Sequence, residues 1–226
     1  MLARPPAFRA PRDWIDWPFF DASHREFATR LDSFVESAAA RDIDHNAVDA
    51  ACRKLARALG EAGLLEAAVP SAEGDASDID SRAVCLAREA LASHDGLADF
   101  AFAMQGLGSG AIAIAGSPEL RAAVLPKARS GEWLAAFALS EKHAGSDVAA
   151  MTCSARQDGD DYVIDGEKTW ISNGGIADFY TLFARTGEAP GARGISAIEK
   201  PGSSGKTTNA EIPRAPGASP VLANSV

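Results

Sequence analysis

Two short segments of the sequence carry residue types that suit ligand binding. The first is FALSEKHAGSD at residues 137–147, and the second is GEKTWISNGG at residues 166–175. In each, a strand-like run leads into a glycine-containing stretch with hydroxyl side chains. Such loops present backbone N–H groups and side-chain donors to a flat polar ring or to phosphate. The residues alone therefore predict a ligand-binding site and no particular reaction.

Amphipathic helices are predicted before both segments. Ser23 and Glu26 have the spacing of a capping box, and apolar residues three and four apart continue from Phe27. Ser117, followed by Pro and Glu, predicts the start of another helix, which ends near Gly131. Between these two, helices are predicted over residues 46–59, 80–93 and 98–115, the last being apolar nearly all round, as in a helix buried within a bundle.

Short strands are predicted after Gly131, with turn signals at 158–159 and 165–166, where Asp precedes Gly. The predicted strands are residues 133–140, 151–157, 162–165, 167–172, 180–185 and 194–198. The fold class predicted is α+β, with an N-terminal all-α helical domain followed by a small, incomplete antiparallel β-barrel domain. These domains cover residues 1–132 and 133–199, and residues 200–226, rich in Pro, Gly, Ser and Asn, are predicted to be a disordered tail.

Composition and charge argue against several classes of protein. The net charge of −9 would repel nucleic acid, because phosphates bind clustered Lys and Arg. The three cysteines are widely spaced and the four histidines lie far apart, so neither a disulfide framework nor a metal site is predicted. The longest apolar stretch, 100–115, is shorter than the roughly 20 residues of a membrane span. We expect a cytoplasmic protein with reduced thiols.

In this order and at this spacing, the two segments resemble the acyl-CoA dehydrogenase family. The family patterns are an aromatic-x-x-Thr/Ser-Glu-x-x-Ala-Gly-Ser-Asp loop and a Gly-x-Lys-x-Trp-Ile-Ser/Thr-Asn-Gly strand, and the resemblance extends over residues 20–198. It implies FAD as cofactor, an acyl-CoA substrate and an electron-transfer flavoprotein as electron acceptor. It also implies a homo-oligomer, a dimer or tetramer.

The resemblance assigns roles to residues of the first segment. Ser140 takes the position of a hydroxyl close to the reactive edge of the FAD ring. The backbone and wall beside the ring are assigned to Phe137, Ala138 and Leu139. Lys142, like the residue after it, stands where the family more often has Pro or Gly, which implies a different loop shape here.

Further roles fall on the next turn and on the second segment. Gly145 and Ser146 match the turn that meets the FAD pyrophosphate, and Ser146 also matches the contact with the acyl-CoA. Trp170 matches the tryptophan that packs against the isoalloxazine. Ile171 and Ser172 follow it, and Ser172 matches the hydroxyl residue that contacts the ring.

The family reaction removes a proton from the α-carbon of the thioester while a hydride leaves the β-carbon for flavin N5, giving a trans-2-enoyl-CoA. No residue matches the family's catalytic base, and Glu141 corresponds to a structural position. We therefore expect a truncated or frame-disrupted relative that lacks the base. The alternative is a non-catalytic flavin- or CoA-binding module, or a partner subunit that completes another chain's site.

Overall fold

The computed structural model describes residues 12–74, 78–159, 161–188, 191–201 and 211–212. Its first part is helical. Within the described residues the α-helices are α1 (Ala22–Val35), α2 (Ala38–Arg41), α3 (Val48–Glu61), α4 (Ser81–His94), α5 (Gly96–Ala115) and α6 (Pro118–Arg129). Helices α1 and α3 to α6 confirm the five predicted helices, with ends displaced by up to two residues at most boundaries, whereas the short α2 was not predicted.

The start of α1 differs from the prediction. Asp21, not Ser23, is the N-cap, and the capping box forms between Asp21 and His24. Asp caps a helix as well as Ser does, and it lies two residues earlier, so the helix begins before Ser23. At α6 the prediction is confirmed, since the Ser117 hydroxyl accepts a hydrogen bond from the backbone N–H of Leu120 at 3.2 Å.

Helix α5 is the centre of the helical part and contacts α3, α4 and α6. By length and composition alone it could cross a membrane, but 44% of its most apolar window is buried inside the protein, as in a core helix. It also contacts the first strand: a Cβ at Gly108 would lie 2.6 Å from the Cβ of Ala135. Glycine is therefore required for the close approach of α5 to the sheet.

The buried amide of Gln105 fixes this contact. Its nitrogen donates to the carbonyls of Ala128 and Trp133, at 2.9 and 2.8 Å, and its oxygen accepts from the N–H of Ala135 at 2.9 Å. One side chain on α5 thus satisfies backbone groups at the end of α6 and at the start of the sheet. A buried amide with all these partners holds the two parts in one register.

The sheet follows the helices. Its strands are β1 (Ala135–Ala138), β2 (Ser154–Asp158), β3 (Asp161–Asp165), β4 (Phe179–Arg185), β5 (Ile195–Pro201) and β6 (Glu211–Ile212). The order is β1-β4-β2-β3-β6, with β5 also paired to β4. Pairs β2–β3, β3–β6 and β4–β5 are antiparallel, whereas β1–β4 and the single β2–β4 contact are parallel.

The predicted fold class is confirmed: a helical part precedes a small, open sheet, although that sheet is mixed and not purely antiparallel. One face packs on the helices, with Ala135, Phe179 and Ala197 in the same apolar core as α5. The other face buries a smaller cluster that includes Cys153 and Leu182.

The predicted tail is only partly described. Residues 200–201 end β5, and Glu211–Ile212 pairs with β3, so the prediction of no packed structure is wrong at these positions. The remainder of residues 202–226 lies outside the described residues.

Candidate functional site

The first motif leaves β1 and reverses direction within four residues. Glu141 and Ala144 exchange two backbone hydrogen bonds, with N···O distances of 3.0 and 3.1 Å. Lys142 and His143 are exposed at the tip of this turn. Beyond it, Gly145 borders open space, because a Cβ there would meet no heavy atom within 4 Å.

The second motif is a loop after β3, so the strand predicted at 167–172 is wrong. Trp170 and Asn173 have φ angles of 57° and 60°. A left-handed residue cannot continue a strand, and for a bulky side chain it costs about 1–3 kcal/mol. Gly166, with φ of 138°, admits the loop against β2, since a Cβ there would lie 2.7 Å from the Cα of Cys153.

Hydrogen bonds tie the second loop to the first motif and to the strand that precedes it. The N–H of Thr169 donates to the carbonyl of Ser140 at 3.0 Å, and the ammonium of Lys168 donates to the carbonyl of Leu139 at 2.9 Å. The side-chain amide of Asn173 donates to the carbonyl of Ala135 in β1 at 2.9 Å. The sheet therefore brings the two predicted motifs together, although they lie far apart in the chain.

Behind the contact is a buried carboxylate. Glu141 accepts from the N–H of Thr152 at 2.7 Å, the hydroxyl of Thr152 at 3.0 Å, the N–H of Cys153 at 3.0 Å and the ammonium of Lys168 at 2.9 Å. Burial disfavours the charged carboxylate, but these donors outweigh burial and lower the pKa of Glu141 to about 2. Glu141 is therefore ionised and fully engaged at neutral pH.

The residues predicted in the first motif lie in different environments. The side chain of Ala138 is buried in the smaller core cluster, so only its backbone can face a ligand. Phe137 is half-buried and its ring packs on Phe183, with 4.9 Å between centroids. Leu139 and Ser140 are half-buried at the point where the loops meet.

Gly145 and Ser146 are both exposed beyond the turn. Among the described residues, neither takes part in the hydrogen bonds that join the two loops. Their assignment to the pyrophosphate and to the acyl-CoA stays a prediction.

The second motif presents an exposed aromatic side chain. Trp170 is 80% exposed, whereas Ile171 is half-buried against the smaller core cluster and Ser172 is half-buried. The hydroxyl oxygen of Thr169 is buried and has no hydrogen-bond partner among the described residues. The exposed indole offers an apolar face on which a flat ring can stack.

Sequence reasoning gave no role to Lys168 or Asn173, which hold the loops together. A buried lysine needs an acidic partner, and Glu141 stands in the other motif, but the polar neighbours of Lys168 in GEKTWISNGG do not mark it as buried. No comparable signal exists for Asn173, since the carbonyl it contacts is revealed by the fold alone.

Comparison with family models matches both parts of the chain. Residues 21–132 match the acyl-CoA dehydrogenase N-terminal domain, and residues 136–219 match the middle domain of the same family. The helical part of the chain thus corresponds to the N-terminal domain of this family, and the sheet corresponds to its middle domain. This chain belongs to the acyl-CoA dehydrogenase family, as the sequence motifs indicated.

Individual members of this family are similar to the chain in sequence and in structure. The probable acyl-CoA dehydrogenase fadE25 of Mycobacterium leprae is 36% identical over 191 residues, which cover 82% of this chain and 49% of the relative. A glutaryl-CoA dehydrogenase from Mycobacterium smegmatis, solved in complex with FADH2, has a TM-score of 0.66 at 27% identity over 84% of this chain and 48% of its own.

A third protein, an acyl-CoA dehydrogenase complexed with FAD from Bacillus anthracis, has a TM-score of 0.68 at 28% identity. The match covers 85% of this chain and 32% of that protein. The chain therefore spans about half, or less, of the length of the relatives it matches.

Proposed function

We propose that this chain binds FAD and an acyl-CoA thioester at the two joined loops, as the flavin-holding part of an acyl-CoA dehydrogenase. The observation that carries the proposal is Trp170, whose indole is 80% exposed on left-handed backbone directly beside the junction of the loops. Strained, bulky residues of this kind concentrate at ligand sites. An exposed indole without a ligand also leaves a large apolar face in water.

The residues present fit the flavin. The unsatisfied hydroxyl of Thr169 and the hydroxyls of Ser140 and Ser172 suit the polar edge of the ring, and the face of Trp170 suits its plane. Open space at Gly145 suits close approach of phosphate to the backbone. When bound, FAD supplies the hydride acceptor for oxidation of the thioester.

In this proposal the described residues of the two loops hold the ligands, and the buried carboxylate of Glu141 is not the base for the α-proton. Glu141 shares the first motif with the exposed Asp147, and with four donors and a pKa of about 2 it binds a proton too weakly to remove one from carbon. We propose that the base comes from a group outside the described residues. Electron-transfer flavoprotein as acceptor and a homo-oligomeric assembly belong to the same proposal.

A second candidate is a binding module without its own chemistry, or a subunit that completes another chain's site. The engagement of Glu141 favours it, because the flavin-binding loops are then complete while the acid–base group is not. For either candidate we propose that the protein lies in the cytoplasm. The cytoplasm is a reducing compartment, and Cys52, Cys85 and Cys153 are free thiols.

Titration of the purified chain with FAD, followed by anaerobic addition of acyl-CoA thioesters, distinguishes these candidates. Flavin binding with acyl-CoA-dependent bleaching of the visible band would support the dehydrogenase. The panel contains straight, branched and dicarboxylic acyl-CoA thioesters. Saturable binding of FAD, with no bleaching of the flavin by any of these thioesters, would support the binding module. Absence of FAD binding would contradict the dehydrogenase, and absence of both FAD and acyl-CoA binding would contradict both candidates.

A further inference from the structure

We propose that the Glu141–Lys168 ion pair is the positioning element of the flavin site, which sets the two loops in register so that their ligand-facing residues meet one ring. This inference rests on the proposed function, because it assumes that the ring is a flavin. Glu141 and Lys168 are positioning residues, and neither needs to touch the cofactor.

The pair is buried and directional. The ammonium nitrogen of Lys168 lies 2.9 Å from a carboxylate oxygen of Glu141, and both side chains are 7% exposed. Lys168 also donates to the carbonyl of Leu139 at 2.9 Å and lies 3.8 Å from the sulfur of Met151. Its donors are thus directed at fixed points on two segments of the chain.

Three segments meet at this pair. Glu141 belongs to the first loop, Lys168 to the second, and Thr152 and Cys153, whose N–H groups donate to Glu141, lead into β2. A shift of either loop along the other would break several of these bonds together. The register of the loops is therefore fixed by charge-assisted hydrogen bonds.

The residues proposed to face the flavin are immediate neighbours of the pair. Ser140 precedes Glu141, Thr169 follows Lys168, and the N–H of Thr169 donates to the carbonyl of Ser140 at 3.0 Å. The orphaned hydroxyl of Thr169 is therefore held one residue from the ammonium. Any displacement of the pair moves both ligand-facing residues.

Stability alone does not explain a buried ion pair, since uncharged residues of similar volume often stabilise a fold as well. A pair of charges adds directional bonds that an apolar contact lacks. The pair is therefore expected to affect flavin binding more than folding when both charges are removed together.

The test uses the full chain with Glu141→Gln and Lys168→Met combined, and Arg88→Met as control. Arg88 forms an ion pair with Asp99 at 2.8 Å within the helical part, away from the loops. Three quantities are measured on folded protein: hydrogen exchange at the N–H of Thr169, the dissociation constant of FAD and the visible spectrum of bound FAD.

We expect the double variant to keep a cooperative urea transition. Exchange at Thr169 should accelerate at least ~10-fold, FAD should bind ~10-fold or more weakly, and the visible band of bound flavin should shift, because misplaced positioning groups cost an order of magnitude or more. Arg88→Met should match the unmodified chain in all three. Wild-type exchange, affinity and spectrum in the folded double variant would overturn the inference.

Thr152→Val covers the case in which the double variant does not fold. It keeps the branched shape and removes the 3.0 Å hydrogen bond from the Thr152 hydroxyl to Glu141. The inference requires faster Thr169 exchange and weaker FAD binding here too, by a smaller factor of about 3, and unchanged values would contradict it. Failure of the unmodified chain to bind FAD would overturn the proposed function and this inference together.

Discussion

Two buried glutamates in the sheet region have opposite environments. Glu141 receives four hydrogen bonds and has a pKa of about 2, whereas one carboxylate oxygen of Glu199 is buried without a partner among the described residues. Burial raises the pKa of Glu199 to about 7. The two residues are similarly shielded from solvent, 6% and 8% exposed, so the four donors to Glu141, together with the deeper burial of Glu199, separate their pKa values.

The difference between the two glutamates corresponds to a difference between the β1 side and the β5 side of strand β4. On the β1 side both members of the buried pair, Glu141 and Lys168, have hydrogen-bond partners, as expected of a pre-organised site. On the β5 side, Glu199 pairs in register with Thr181, whose hydroxyl donates to the carbonyl of Gly108 in α5, so Glu199 lies on the face toward the helices. An apolar residue would satisfy that position better.

The largest effect is expected from Glu141→Gln. The substitution leaves the buried ammonium of Lys168 without its counter-charge, which costs about 3–5 kcal/mol of unfolding free energy. Urea denaturation at pH 7 measures this loss, and Glu132→Gln, at an exposed position, is the control. A loss equal to that of the control would show that the β1 side is no more organised than the surface.

Glu199→Gln should act in the opposite direction. A carboxyl group whose pKa is raised from 4.5 to about 7 stabilises the fold when protonated, and that stability is lost as pH rises from about 4.5 through 7. The variant should therefore be more stable than the parent by about 3 kcal/mol above pH 7, converging toward it below pH 4.5. Urea denaturation from pH 4 to 8 checks this.

Exposed Glu188→Gln is the control for that profile. If the unfolding free energies of the parent and of Glu199→Gln changed in parallel with pH, Glu199 would be solvated. The contrast with Glu141 would then fail. Glu141 has the reverse sign: its lowered pKa contributes stability that is present above pH 4.5 and is lost as pH falls toward 2.

A smaller effect is expected where α5 contacts β1. Gly108→Ala places a Cβ 2.6 Å from that of Ala135 and should cost about 1–3 kcal/mol by overpacking. Gly110→Ala is the matched control in the same helix, because its Cβ would meet nothing within 4 Å, and it should stabilise by about 0.5–1 kcal/mol. Thermal unfolding of both variants measures the difference, and equal shifts would contradict close packing at β1.

Much of the fold was predictable because its signals are local. The helix at Pro118–Arg129 follows from Ser117 and Pro118, and the β2–β3 hairpin follows from Asp158 and Gly159, whose φ is 61°. The start of α1 was misplaced because two good caps, Asp21 and Ser23, stand close together.

The site was predictable as two motifs but not as a geometry. Nothing local shows that Trp170 adopts a left-handed conformation, because Trp disfavours it and tertiary contacts impose it. The Glu141–Lys168 pair joins residues 27 apart and exists only once the loop after β3 folds against the segment that follows β1. The family resemblance and FAD as the family's cofactor are confirmed, whereas the roles assigned to individual residues stay predictions.

The central claim is that the junction of the two loops binds a flavin, and the most direct measurement is FAD affinity of the parent, Trp170→Ala and Trp17→Ala. Trp17 is a matched control, 64% exposed in the helical part. Loss of one stacked aromatic face costs about 1 kcal/mol, so Trp170→Ala should bind FAD at least ~5-fold more weakly. Trp17→Ala should match the parent. Equal FAD affinity in all three proteins, or no binding by the parent, would contradict the account.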